Sequence, residues 1–395
     1  MFSAAAIDID LVSLAKQQQE YARNIRRHLH QYPELGWEEN QTIAYLLSEI
    51  ATFSVDHRYE LTIHEKVGGF FVDLDIDSSF ERDLFRADLD ALPIEENSGL
   101  LFSSKVKGVM HACGHDFHAA MLLAALKVIV SGELPVTKNL RFVFQRAEEV
   151  GSNRSGGKTL VHEGVCADIS QVYALHISSI FDCGTFYARE NEALANNATI
   201  SFSIECQGGH VMSPNLGSNA IDIQTEITSA LRGFESRFFP PTEVVAFVPT
   251  FSSAGIAQNI RPNQLTMSYA FRNFLRTDKK RAFIKAAYKK IEHIVSGFED
   301  ASLTSFETTK GYPTLSNDRD SIVHVKNRLQ QINQHIETSP LLFAGEDFSY
   351  YLQQASGSYW ILGAKTGKGQ DHHTSSFNPS EEVLWQGIAF WLSLA

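Results

Sequence analysis

Two periods of apolar and polar residues run along this chain, and the switch between them divides it. Residues 10–32 read as a helix that starts from an acidic cap at Asp10, and a second helix follows near residues 39–50. Short β-rich runs come next, at residues 61–66, 70–75 and 83–87. Residues 118–130 are rich in Ala, Leu and Met and read as a buried helix. Residues 140–144, apart from Arg141, and residues 172–175 are apolar runs bounded by polar residues. Runs without alternation are expected where a strand is covered on both faces, so this part of the chain predicts an α/β sheet.

The middle of the chain differs. In residues 199–205 the apolar side chains fall at Ile200, Phe202 and Ile204; in residues 265–271 they fall at Leu265, Met267, Tyr269 and Phe271. A period of two predicts half-buried antiparallel strands. Helices are expected at residues 220–232 and 280–295. The resulting β-α-β-β-α-β order over about 110 residues fits a small α+β domain inserted in the larger one. The α/β texture returns from residue 311, and Ser380 begins a final helix with Glu381 and Glu382 in its first turn. The expected division is a larger domain of residues 1–196 and 310–395 around an insert of residues 197–309.

The 395 residues, 44% of them hydrophobic, are enough to bury two cores. A net charge of −12 argues against a nucleic-acid partner. Lys279, Lys280, Arg281, Lys289 and Lys290 do cluster, but on a periodic segment whose apolar positions are Phe283, Ala287, Ile291 and Ile294, so they read as the solvated face of a helix. Residues 1–10 lack the basic and apolar regions of a secretory signal, and no apolar run approaches the roughly 18 residues of a membrane span. A cytoplasmic protein without a membrane partner is expected. Cys166, Cys183 and Cys206 read as small hydrophobes of a reduced protein. Cys113 stands apart because of its neighbours.

Those neighbours form the segment His111-Ala-Cys-Gly-His-Asp-Phe-His118, in which five of eight residues can bind or orient a metal. With Gly114 between them, Cys113 and His115 can converge on one ion. A second feature, Phe144-Gln-Arg-Ala-Glu-Glu149, follows an apolar strand, where α/β sheets place their ligands. One of its two carboxylates can bind a cation while the other handles protons. His176 ends the apolar run Val172-Tyr-Ala-Leu-His176, and Asp371-His-His-Thr-Ser-Ser-Phe377 follows another. Thiolate, imidazole and carboxylate together suit Zn²⁺, Mn²⁺, Co²⁺ or Ni²⁺ better than Ca²⁺ or Mg²⁺, which prefer oxygen alone.

Blocks spread along the whole chain carry a resemblance. They are Arg27-His-Leu-His-Gln-Tyr-Pro-Glu-Leu-Gly36, Arg86-Ala-Asp-Leu-Asp-Ala-Leu-Pro93, His111-Ala-Cys-Gly-His-Asp116, Gln145-Arg-Ala-Glu-Glu149, Gly208-Gly-His210, Asn259-Ile-Arg-Pro262, Ala344-Gly-Glu-Asp-Phe348 and His373-Thr-Ser-Ser-Phe377. In order and number they resemble the co-catalytic metallohydrolase family of aminoacylases and related carboxypeptidases, in the branch of hippurate hydrolases and indole-acetyl-amino-acid hydrolases. The resemblance implies a metal-dependent exopeptidase-like α/β catalytic domain, a mixed sheet with flanking helices, and an inserted ferredoxin-like α+β lid through which the chain forms a homodimer. It implies two divalent metal ions per subunit, with Cys113 bridging them and His115, Glu149, His176 and His373 completing the sites. It makes Glu148 the general base and acid, and places Asp88, Asp90 and Asp116 behind the ligands. On the insert, His210 matches a residue that reaches a partner's active site, and Asn259 and Arg272 match residues that contact the substrate carboxylate or the oxyanion.

The activity so implied is hydrolysis of the amide bond of N-acyl amino acids; the neighbouring expectation is a metallo-carboxypeptidase or dipeptidase on short peptides. A non-catalytic binder of N-acyl amino acids would keep the fold, but the base and the ligands argue against it. A zinc-stabilised structural module would be richer in cysteine. Four departures from the family pattern stand out: Phe117, Arg146 for the usual proline, Arg154 to Lys158 in place of a glycine-rich stretch, and Arg261 for an apolar residue. In addition, related branches place a histidine ligand about where Asp88 falls.

Overall fold

The computed structural model describes residues 10–367 and 370–395. Residues 1–9, on which the absence of a secretory signal was read, lie outside them. The chain divides into two compact units: Met1–Ala193 with Leu315–Pro340 and Glu346–Ala395, and Leu194–Thr314 with Leu341–Gly345. Among the described residues no helix is long and apolar enough to cross a membrane.

The first unit opens with helices α1 (Leu11–Gln17), α2 (Gln19–Gln31) and α3 (Asn40–Ile50). The single helix expected over residues 10–32 is broken at Gln18, because its halves serve different neighbours. α1 packs on the carboxyl-terminal helix and α2 on the buried central one. Strands β1 (Glu60–Lys66), β2 (Gly69–Asp75) and β3 (Arg82–Asp88) follow, then α4 (His115–Val130), β4 (Asn139–Gln145), α5 (Gly156–His162), β5 (Ile169–Ser178), β6 (Thr185–Ala188) and β7 (Asn191–Leu194).

In the second unit come β8 (Asn196–Glu205), β9 (Gly209–His210), α6 (Ala220–Leu231), α7 (Phe234–Phe238), β10 (Val245–Ala254), β11 (Ile260–Arg261), β12 (Gln264–Asn273), α8 (Thr277–Val295) and β13 (Ser302–Lys310). The chain then returns to the first unit with β14 (Leu315–Asn317), α9 (Arg319–Gln331), β15 (His335–Thr338), β16 (Ser356–Gly363) and α10 (Leu384–Leu394).

An eight-stranded mixed sheet, in the order β1-β2-β4-β3-β5-β16-β6-β15, forms the centre of the first unit. β4 is buried at every residue, and α4 at every residue but Lys127, which is why neither alternates in sequence. β4, β3, β5 and β16 run parallel to one another, with Asp88 opposite Gln145 and Ile361 opposite His176. Their carboxyl ends therefore emerge along one edge, where open α/β sheets bind ligands.

The second unit has a four-stranded antiparallel sheet in the order β10-β12-β8-β13. Ile200, Phe202 and Ile204 pair across β8 and β12 with Tyr269, Met267 and Leu265, and the face they share packs on Ile223, Ile227, Phe283 and Ile291. On α8 the buried stripe is Phe283, Ala287, Ile291 and Val295. Lys289 and Lys290 are exposed, whereas Lys280 donates to Asn196 Oδ1 at 2.8 Å.

Candidate metal centre

The site grows from the turn between Met110 and α4. Gly114 has φ +97°, and a Cβ there would stand 2.6 Å from Ile177 Cδ1. Only glycine lets the chain pass this close to the end of β5, and so brings Cys113 and His115 onto the parallel strand ends. His176 comes from β5. Glu148 and Glu149 follow β4 after Ala147, whose φ of +54° turns the chain sharply. His373, also left-handed at φ +60°, is tied by its N–H to Ala112 O at 2.9 Å.

Donor atoms of Cys113, His115 and His176 lie within 4.8 Å of one another, and so do those of Cys113, Glu149 and His373. The two sets share one sulfur. His176 donates from Nδ1 to Ile177 O at 2.5 Å and turns Nε2 toward Cys113 Sγ, 3.5 Å away. His115 Nδ1 bonds Asp90 Oδ1 at 3.1 Å, while its buried Nε2 has no hydrogen-bond partner among the described residues. Both rings thus have one nitrogen fixed and the other free to ligate, the arrangement of metal-bound histidine. His373 Nε2 lies 3.1 Å from Glu149 Oε1. The orphaned His115 nitrogen and the mixed donor set fit divalent ions of the zinc or manganese kind.

His118 is not free to ligate in the same way. Its Nε2 accepts the Ile177 N–H at 2.9 Å, so its proton sits on Nδ1 and goes to Asp88 Oδ1 at 2.6 Å. Asp88 takes a second bond from Arg86 Nη1 at 2.7 Å. Asp90 links two donors, accepting from His115 through Oδ1 and from the Glu149 N–H through Oδ2 at 2.9 Å. Asp116 faces away from the donors: it hydrogen-bonds His30 Nδ1 at 2.8 Å and forms an ion pair with the Arg26 guanidinium, whose Nε lies 2.9 Å away.

Charge sets the protonation of these groups. Burial pushes the Glu148 carboxyl well up, and the charges of Glu346, Glu149 and Asp347 push it further. Burial also raises the Cys113 thiol, as do Glu149 and Glu148. Glu149 moves the other way: burial alone would raise it, but His373 and His115 hold it down. Burial would lower His115, yet Asp88 and Asp90 raise it to about 10. A cation is the natural occupant of a pocket with this excess of acidic groups.

Arg86, Glu346 and Asp347 have no role in the motif reading, yet the donor oxygen of Glu148 lies within 4.8 Å of those of Glu346 and Asp347, and Arg86 pairs with both of these. Arg86 offers one local signal, a charge set between Leu84-Phe85 and Ala87 in β3. Of the four departures, Phe117 is fully buried with Arg26 over its ring at 4.5 Å, Arg146 Nη2 bonds Asn40 Oδ1 at 2.9 Å, and Arg154 O accepts from Trp37 Nε1 at 2.7 Å. Arg261 donates to Gly217 O at 2.6 Å and Gly208 O at 2.9 Å.

His210, Asn259 and Arg272 lie on the second unit. His210 pairs with Ile260, and the Asn259 carbonyl accepts from Val211 N at 3.2 Å. His210 Nδ1 accepts from Met212 N at 3.1 Å, which leaves the proton of the neutral ring on Nε2. Arg272 is half-buried on β12, and burial lowers its pKa.

Known proteins are similar to this chain in architecture and in sequence. A profile of peptidase family M20/M25/M40 matches residues 84–395. Thermostable carboxypeptidase 1 of Saccharolobus solfataricus is 32% identical over 386 residues, which cover 96% of each chain. N-acetyl-L-cysteine deacetylase of Bacillus subtilis is 31% identical over 386 residues, covering 97% of this chain and 88% of its own. The crystal structure of a dinuclear metal-binding peptidase of the M20 family from Bacillus subtilis superposes with a TM-score of 0.79, over 96% of this chain and 97% of its own, at 24% identity; that likeness concerns the fold.

Proposed function

The chain belongs to peptidase family M20/M25/M40, and we propose that it is a metal-dependent amidohydrolase that cleaves N-acyl amino acids to a carboxylic acid and a free amino acid. The observation that carries this reading is the thiol of Cys113, shared between two sets of three donors beside the buried Glu148 carboxyl. Cys113, His115, Glu149, His176 and His373 would hold two divalent ions. When bound, such ions supply a Lewis acid for the scissile carbonyl and a water of lowered pKa. Glu148 takes the proton of the attacking water and returns it to the leaving amine nitrogen, so one water adds across one C–N bond. Asp90 holds His115 and the Glu149 backbone in one geometry through its two oxygens.

The second unit, residues 197–309 in the sequence division, acts in this reading as a ferredoxin-like lid and dimerisation domain. Its β-α-β-β-α-β order supports that, as does β10, an edge strand with Val248 51% and Phe251 53% exposed, a row open to pairing with a second copy. His210 would reach the active site of a second copy and offer its Nε2 proton to the oxyanion, and Arg272 and Asn259 would contact the substrate carboxylate or the oxyanion.

Action on short peptides is the second reading, favoured by the carboxypeptidase from Saccharolobus solfataricus. It uses the same groups. A panel that varies the acyl and amino-acid parts independently separates the two: faster turnover of N-acetyl or N-benzoyl amino acids than of dipeptides is expected, and the reverse would overturn the amidohydrolase reading. Glu148→Gln should keep its metal and lose most turnover; a wild-type rate would refute the role of Glu148.

A further inference from the structure

The turn that presents Glu148 and Glu149 does not hold itself. Ala147 sits at φ +54°, a conformation that costs a non-glycine residue about 1–2 kcal/mol and persists only where the surroundings impose it. The surroundings here come from a segment more than a hundred residues earlier, Gly36 to Asn40. Gly36 lies flat against the turn: a Cβ there would be 2.4 Å from Val150 Cγ1, 3.2 Å from Asp90 Oδ2 and 3.3 Å from Ala147 Cα. Trp37, itself at φ +73°, anchors the segment by donating Nε1–H to Arg154 O at 2.7 Å. Asn40 Oδ1 accepts from Arg146 Nη2 at 2.9 Å.

Between these anchors Glu39 is fully buried, and its Oε1 accepts the Ala147 N–H at 2.8 Å. The Ala147 carbonyl takes the Gly156 N–H at 3.0 Å. The strained residue is thus gripped at both polar groups, and Glu39 supplies the one grip that comes from a side chain.

We propose that Glu39 is a positioning residue for the reaction: by holding the Ala147 N–H it fixes the turn that aims the Glu148 carboxyl. This rests on the reading of Glu148 as base. Burial and the charge of Asp90 push the Glu39 carboxyl up to about 7. A glutamine keeps the volume and the acceptor oxygen that takes the Ala147 N–H, whereas methionine keeps the volume and loses the acceptor.

The test uses the full-length metal-loaded protein and four variants: Glu39→Met, Glu39→Gln, Glu148→Gln and the double variant Glu39→Met/Glu148→Gln. kcat, KM and bound metal are measured for an N-acyl amino acid that the wild type hydrolyses. Glu39→Met should lower kcat on the order of 10²-fold with KM and metal content unchanged, since a displacement of about 1 Å has that effect. Glu39→Gln should retain kcat within about threefold because its amide oxygen still accepts. In the Glu148→Gln background, Glu39→Met should cost nothing more.

The proposal is overturned if Glu39→Met keeps wild-type kcat, if it strips the metal, if Glu39→Gln falls as far as Glu39→Met, or if the loss multiplies in the double variant. Should Glu39→Met fail to fold, Glu39→Asp decides. It draws the acceptor back by one methylene, and an unchanged kcat there refutes the idea. Wild-type turnover by Glu148→Gln alone would instead refute the assignment of Glu148 and remove the premise.

Discussion

Replacing Arg86 with methionine removes the guanidinium that the carboxylates at the end of the sheet share. Arg86 is 2% exposed. Its Nε donates to Gln145 Oε1 at 2.9 Å, Nη1 to Asp88 Oδ2 at 2.7 Å and Nη2 to Asp347 Oδ1 at 2.5 Å, and Nη2 also lies 3.1 Å from Glu346 Oε1. Methionine fills much of the aliphatic space, so electrostatics decides the outcome. Removing one partner of a buried ion pair costs about 3–5 kcal/mol, because the survivor stays buried without compensation.

Three carboxylates survive here, but each has some relief. Asp347 keeps bonds from Gln145 Nε2 at 2.8 Å, Ser155 Oγ at 2.6 Å and the Gly157 N–H at 2.9 Å. Asp88 keeps His118. Glu346, which burial already raises to about 7 against the pull of Arg86, takes up a proton. The expected cost therefore stays near the single-pair figure of about 3–5 kcal/mol. At roughly 2 °C per kcal/mol for a domain of this size, Tm falls by about 6–10 °C. Scanning calorimetry of wild type and variant at neutral pH and one scan rate reads this directly. Asp347→Asn added to Arg86→Met should return part of the loss, because the two residues are in contact. A drop in Tm under about 2 °C would refute the claim that this guanidinium compensates the cluster.

Two further outcomes follow from the same structure. Dialysis against a chelator should abolish turnover and lower Tm, since the ions bind the folded donor set, and Zn²⁺, Mn²⁺, Co²⁺ or Ni²⁺ should restore both; unchanged Tm and turnover would count against the metal centre. Burial would raise the Glu96 carboxyl, but His30 Nε2 at 3.3 Å, the Ser104 N–H at 2.6 Å and the Ser98 hydroxyl lower it to about 2. A depressed carboxyl stabilises the fold above its unfolded value near 4.5 and loses that contribution as pH falls through about 2. Glu96→Gln should accordingly cost about 1–2 kcal/mol at neutral pH, with the gap from wild type closing between pH 4.5 and 2 in acid-unfolding curves. A gap that stays constant across that window would show the carboxylate charge to be irrelevant.

Much of the architecture was legible along the chain because burial leaves a periodic mark. Strands covered on both faces lose alternation, as β4 does, and strands covered on one face keep it, as β8 and β12 do. The helix break at Gln18 was not legible: it follows from which neighbour each half packs on. The donor-rich segment from His111 to His118 was equally plain, since so many ligand types in eight residues need no partner elsewhere to stand out.

What the residues by themselves determined was therefore the two textures and the inventory of donors. Which donors face one another was decided only by the tertiary structure. The parallel register of β3, β4, β5 and β16 brings Asp88, Glu148, Glu149 and His176 to one edge. His118 sits in the same short segment as His115, but an N–H from β5 occupies its second nitrogen. Arg86 meets Asp347 across 261 residues of chain, and Glu39 meets Ala147 across 108. A buried polar group must find a partner wherever folding supplies one, so its role depends on distances through space that spacing along the sequence does not encode.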